Sequence, residues 1–139
     1  MRKILSLFLS IAIILTTGIN AKIDAASNGV QAAWLTTAWS LDWPKTKNNS
    51  TAQKKELIKI LDTLKDTGIN TVMFQVRPYG DAMYKSSINP WSKELTGTQG
   101  KDPGYDPLAF IIQEAHTRGM KVHAWLNPYR VVSSGTDVN

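Results

Sequence analysis

The chain has 139 residues, 42% of them hydrophobic and 19% charged, with no cysteine and a formal net charge of +5. That length fits one modest domain, and the lack of cysteine excludes both a disulfide framework and a lipid anchor on cysteine. Arg2, Lys3, Lys22 and Asp24 fall within the first 26 residues, leaving 13 basic and 10 acidic side chains beyond Ala26; no cation run with interleaved aromatics occurs, so nucleic acid is not an expected partner.

Met1-Arg2-Lys3 is a short positive start, and an apolar run from Ile4 to Leu15 leads to small residues at Ala21, Ala25 and Ala26. This pattern predicts a signal peptide over residues 1–26 and a secreted or cell-envelope protein. The run is short for a span of about 20 residues, so a retained anchor is the weaker alternative. Membrane contact is expected only through this segment.

Residues 30–37, "VQAAWLTT", read as a first strand. Ser50 and Gln53 have capping-box spacing at the start of a helix whose stripe is Leu57, Leu61 and Leu64, widened by Ile58 and Ile60. Gly68 ends it. Residues 70–77 form the second strand, closed by Pro78, which cannot donate to a ladder. A long connection fills residues 79–105. Asp106 caps a second helix with Pro107 in its first turn, and Leu108, Ile111, Ile112 and Ala115 form its apolar face. Gly119 stops it, and residues 120–127 are the third strand.

Strand–helix alternation implies a parallel sheet with crossover connections. By parity, Val72, Phe74 and Val76 share one face of the second strand and Met73, Gln75 and Arg77 the other. In the third, Val122, Ala124 and Leu126 oppose His123, Trp125 and Asn127. Each strand thus has an apolar face for helices and a face that turns polar toward its C-terminal end. An open doubly wound sheet buries both faces, whereas a (β/α)8 barrel opens its inner face into an active-site mouth at the strand C-termini. The reading is therefore α/β, the N-terminal portion of a TIM barrel, about three β/α units over residues 27–139, truncated before the remaining strands.

Gln75, Arg77, His123, Asn127 and Arg130 are expected around that mouth. The loops add Trp39, Asp42, Trp43, Tyr79, Asp81, Tyr84, Trp91, Glu94 and Tyr105. Aromatic faces beside hydroxyl-binding polar groups suit sugars. His123 lacks any companion at metal-ligand spacing, so no metal is expected, and no nucleotide or cofactor motif occurs. Glycoside hydrolysis uses two carboxylates. Asp42, Asp81, Glu94 and Asp102 are the candidates, none at a strand end, so no catalytic pair is assigned.

"AWLTTAWSLDWP", "FQVRPYGDAMYKSSINPWSKELTGTQGKDPGYDPLAF" and "VHAWLNPYR" resemble the N-terminal part of the glycosyl hydrolase-like family 10 proteins. The resemblance implies a barrel acting on bacterial cell-wall glycan, peptidoglycan first. It puts Gln75, Arg77, Asp81, His123, Asn127 and Arg130 near the mouth, where Trp125 and Tyr129 join them as substrate-binding candidates. It also implies that the acidic motif, of the kind "DGIHFDDY", belongs to a fourth strand beyond Asn139, so the chain alone is expected to be inactive and its partners to be glycan and the remainder of the barrel. Gln31 stands where the family has arginine. A non-catalytic glycan-binding surface protein, using Trp39, Trp91 and Tyr129, and the non-functional product of a disrupted gene are the alternatives.

Overall fold

The computed structural model describes residues 29–132, so the expected leader over residues 1–26 lies outside the described residues. Three strands, β1 (Ala32–Leu35), β2 (Thr71–Arg77) and β3 (Lys121–Leu126), alternate with helices α1 (Ser50–Asp66) and α3 (Pro107–Thr117). A short helix α2 (Lys93–Thr96) interrupts the long connection, which the sequence reading left without structure. The sheet is parallel, in the order β1-β2-β3.

The cap of α1 falls one residue earlier than expected. Asn49 Oδ1 accepts from the Ala52 amide at 3.0 Å, and Ser50 is already helical. Gln53 does not close a capping box. It is fully buried, donates to the carbonyls of Thr46 and Leu95 at 2.8 and 2.7 Å, and accepts from the Tyr105 hydroxyl at 2.9 Å. A buried amide stays only where its donors and acceptor are satisfied, so Gln53 ties the first loop, α2 and the Tyr105 segment to α1. The start of α3 follows the sequence: Asp106 Oδ1 caps the Ala109 amide and Pro107 occupies the first turn.

Register aligns Leu35 with Phe74, and Val72 with Val122. In a parallel sheet, partners at one level face the same side. This resolves β1, whose parity the sequence left open: Leu35 belongs to the helix side and Trp34 to the other. Leu35, Val72, Phe74 and Val76 bury against Leu57 and Leu61 of α1 and Ile111 and Ala115 of α3, with Trp43 closing the core from the first loop. The opposite face is open. Trp34 is 63% exposed there, packed edge to face on Trp125 at 4.9 Å. A parallel sheet with helices on one side and an uncovered other side is compatible with part of a β/α barrel.

Candidate functional site: an aromatic cleft at the strand ends

A cleft of about 510 Å³ opens at the C-terminal ends of the three strands. Thr36, Ala38 and Trp39 enter it after β1, Gln75 from β2, Trp125 from β3, and Asn127 to Arg130 from the loop that follows. Of the eight expected binding residues, five meet here: Gln75, Trp125, Asn127, Tyr129 and Arg130.

Two of the five are occupied by the scaffold. Gln75 Oε1 accepts from the Thr37 and Ala38 amides, both at 2.9 Å, and its backbone carbonyl accepts from the Thr37 hydroxyl. It is 1% exposed and fixes the turn that carries Trp39. Asn127 accepts from the Trp125 indole at 2.9 Å and donates to the Pro78 carbonyl at 3.2 Å. Its amide orients the Trp125 ring.

The other three lie elsewhere. Strict alternation puts Arg77 beside Gln75 on the inner face, but the register slips between them: Gln75 pairs with Trp125 and Arg77 with Leu126. This bulge removes Arg77 from the alternation. Its guanidinium donates to the Asn127 carbonyl, and it does not line the cleft. Asp81 does not pair with Arg77. It is 1% exposed, accepts from the Lys93 amide at 3.3 Å and is bonded by Ser92. Burial, ahead of these lowering bonds, raises its carboxyl above the ordinary range. His123 is exposed, level with Met73 below the cleft.

Among the described residues no carboxylate lines the cleft. Asp42 accepts from the Thr36 amide, and Asp102 from the Gly104 amide, as its turn sequence implies. Glu94 is buried, paired with Lys47 at 2.9 Å and bonded by the Ser40 hydroxyl at 2.8 Å. Trp43 is core, and Trp91 packs against the core rather than in the cleft. Among the described residues no group of three metal-binding side chains occurs.

What faces the opening is aromatic and cationic. Tyr129 is 96% exposed and Trp39 52%. The Arg130 guanidinium lies over the Trp39 ring at 4.9 Å and near the Tyr79 ring at 5.5 Å. Trp39 and Ser40 have φ of 53° and 54°, a left-handed conformation that side chains resist. Strain of this kind gathers at functional sites. The sequence carried no signal for it. The short helix did announce itself, through the Ser92 cap, Glu94 in its first turn and Gly97 at its end.

The sequence model of the Glycosyl hydrolase-like 10 family matches residues 29–139. The chain belongs to that family. It is 50% identical over 111 residues to glycosyl hydrolase YngK of Bacillus subtilis (strain 168), a match covering 79% of this chain and 22% of that protein. It is 49% identical over 119 residues to glycosyl hydrolase DigH of Escherichia coli (strain K12), covering 80% of this chain and 27% of that one. The chain thus spans about a quarter of the length of these relatives. Family membership makes the aromatic cleft part of a glycosyl hydrolase-like domain.

Proposed function

We propose that the chain is the N-terminal part of an exported (β/α)8 glycoside hydrolase, and that its cleft binds bacterial cell-wall glycan, peptidoglycan first. The leader over residues 1–26 directs export, and residues 27–139 supply the first strands of the barrel. The observation that carries this reading is the cleft itself. Two indoles, a phenol and a guanidinium face the opening, while the polar groups beneath them are spent on holding the rings. Indole and phenol faces cover the C–H faces of a pyranose, and the Arg130 guanidinium is left to meet its polar substituents.

The chain contributes binding rather than bond cleavage. Glycoside hydrolysis needs an acid and a base, and Asp42, Asp81, Glu94 and Asp102 each hold a scaffold contact. Incubating the 139-residue chain with insoluble cell wall tests both halves. Retention on the wall without release of reducing ends is expected. Absence of retention removes the glycan reading, and clear turnover removes the assignment of the acids to the rest of the barrel. The absence of cleft carboxylates among the described residues favours, as a second reading, a surface protein that binds glycan without cleaving it. Joining the chain to the remaining length of a relative separates the two: gain of turnover supports the hydrolase.

A further inference from the structure

One cation in the cleft has no carboxylate partner among the described residues. The Arg130 guanidinium rests on Trp39 and beside Tyr79, rings that meet edge to face at 6.0 Å. The other described arginines are engaged: Arg118 with Asp62 and Glu114, Arg77 with the Asn127 carbonyl. The acids of the neighbouring loop are engaged elsewhere: Glu94 binds Lys47 and Ser40, and Asp81 accepts from Lys93 and Ser92 while its Oδ1 stays buried without a partner. A ring face attracts a guanidinium through its quadrupole and leaves the in-plane N–H groups unused. Arg130 is therefore held in place without being neutralised.

Its place is built by the chain on both sides. The Gly80 amide donates to the Val131 carbonyl at 2.9 Å, and a Cβ at Gly80 would come within 3.1 Å of that oxygen. The Asn127 amide donates to the Arg77 carbonyl at 3.0 Å. The residue is thus presented from a segment pinned at each end, beside the Trp39 platform.

We infer that Arg130 is the specificity-determining residue of the cleft, taking a carboxylate carried by the sugar that stacks beside Trp39. The inference rests on the glycan reading above and sharpens it. Hydroxyls can accept from a guanidinium, but a carboxylate accepts two parallel charge-assisted bonds, each roughly twice as strong as a neutral one. The carboxylate has two chemical sources in glycans: a lactyl ether on an amino sugar, or the oxidised C6 of a uronic acid.

Three disaccharides, titrated into the full chain with tryptophan fluorescence and calorimetry as readouts, test this. They are N-acetylglucosaminyl-N-acetylmuramic acid, the same sugar with its carboxyl reduced to the alcohol, and a glucuronic acid disaccharide. The lactyl acid is expected to bind about three- to tenfold tighter than its reduced form, an advantage that shrinks as salt rises. R130Q is expected to bring that ratio to about one, and R130K, which keeps charge but loses the fork, to an intermediate value. Circular dichroism checks that the variants fold. Equal affinity for acid and alcohol, or a preference that survives in R130Q, overturns the assignment while leaving the glycan cleft standing. Failure of all three sugars to bind overturns the cleft reading and this inference with it. Tight binding of the lactyl acid alone assigns the source, and equal binding of the uronate supports a carboxylate reader indifferent to it.

Discussion

Arg77 and Asn127 are bound to each other twice: the Arg77 guanidinium donates to the Asn127 carbonyl at 3.1 Å, and the Asn127 amide donates to the Arg77 carbonyl at 3.0 Å. This clamp joins the ends of β2 and β3 at the point where register slips, and it sets where the cleft loop begins. The same Asn127 side chain holds the Trp125 indole, so the clamp and the ring platform share one residue.

Replacing Arg77 with Met keeps most of the aliphatic volume and removes one hydrogen bond. The expected cost is about 1–2 kcal/mol, read from urea denaturation. Affinity for a glycan is expected to fall several-fold, because the Asn127–Arg130 segment loses an anchor. Unchanged affinity alongside unchanged stability would show that the backbone bond alone sets the loop.

Gln75→Leu acts deeper. It strips the acceptor from two backbone amides, Thr37 and Ala38, in a region sealed from water. Each buried donor left unpaired costs about 1–3 kcal/mol. The expected total for the two donors is about 2–6 kcal/mol in chemical denaturation, with a change in Trp39 fluorescence as its turn loosens. A loss under 1 kcal/mol would mean that water reaches those amides.

Local signals made much of this fold legible. The Leu57–Leu61 and Ile111–Ala115 spacings, the Asp106-Pro107 start and the glycines after each helix act within one or two turns, and the sequence states them directly. The strand faces were legible as far as Gln75. Beyond it the bulge broke strict alternation, and Arg77 does not line the cleft. The occupied state of Gln75 and Asn127 depends on partners 38 and 49 residues away, which no local pattern reveals. For the same reason Asp81 read as a mouth residue, although it is a buried anchor for α2.

Asp81 gives a pH signature. Burial raises its carboxyl above the ordinary value of about 4, which the unfolded chain keeps. Between those two values the folded state binds more protons than the unfolded one, so stability falls as pH rises through the window. The full cost is present above the raised value and absent below the ordinary one. Asp81→Asn cannot ionise, so its stability relative to the parent is expected to improve from acid toward neutral pH and then level off. Urea midpoints of both proteins across that range measure the difference. A difference that moves the other way would show that the Ser92 and Lys93 bonds outweigh burial.

Glu94→Ala tests what holds Trp39 in its left-handed turn. The Glu94 carboxylate receives the Ser40 hydroxyl and Lys47, joining the first loop to α2. Ser40 and Trp39 both sit at positive φ, so the turn needs an outside tether to persist. Lys47 is half-exposed, which makes the ion pair itself weak; the larger loss is the part-buried bond to Ser40. The expected cost is about 1–2 kcal/mol in global stability. Greater effects are expected locally: faster hydrogen exchange over residues 37–42 and a red-shifted Trp39 emission as the ring leaves Arg130 and Tyr79. Glu94→Gln keeps an acceptor for Ser40 and is expected to retain most of the Trp39 signal while losing Lys47. Equal disruption by both variants would assign the tether to Lys47 and the charge instead.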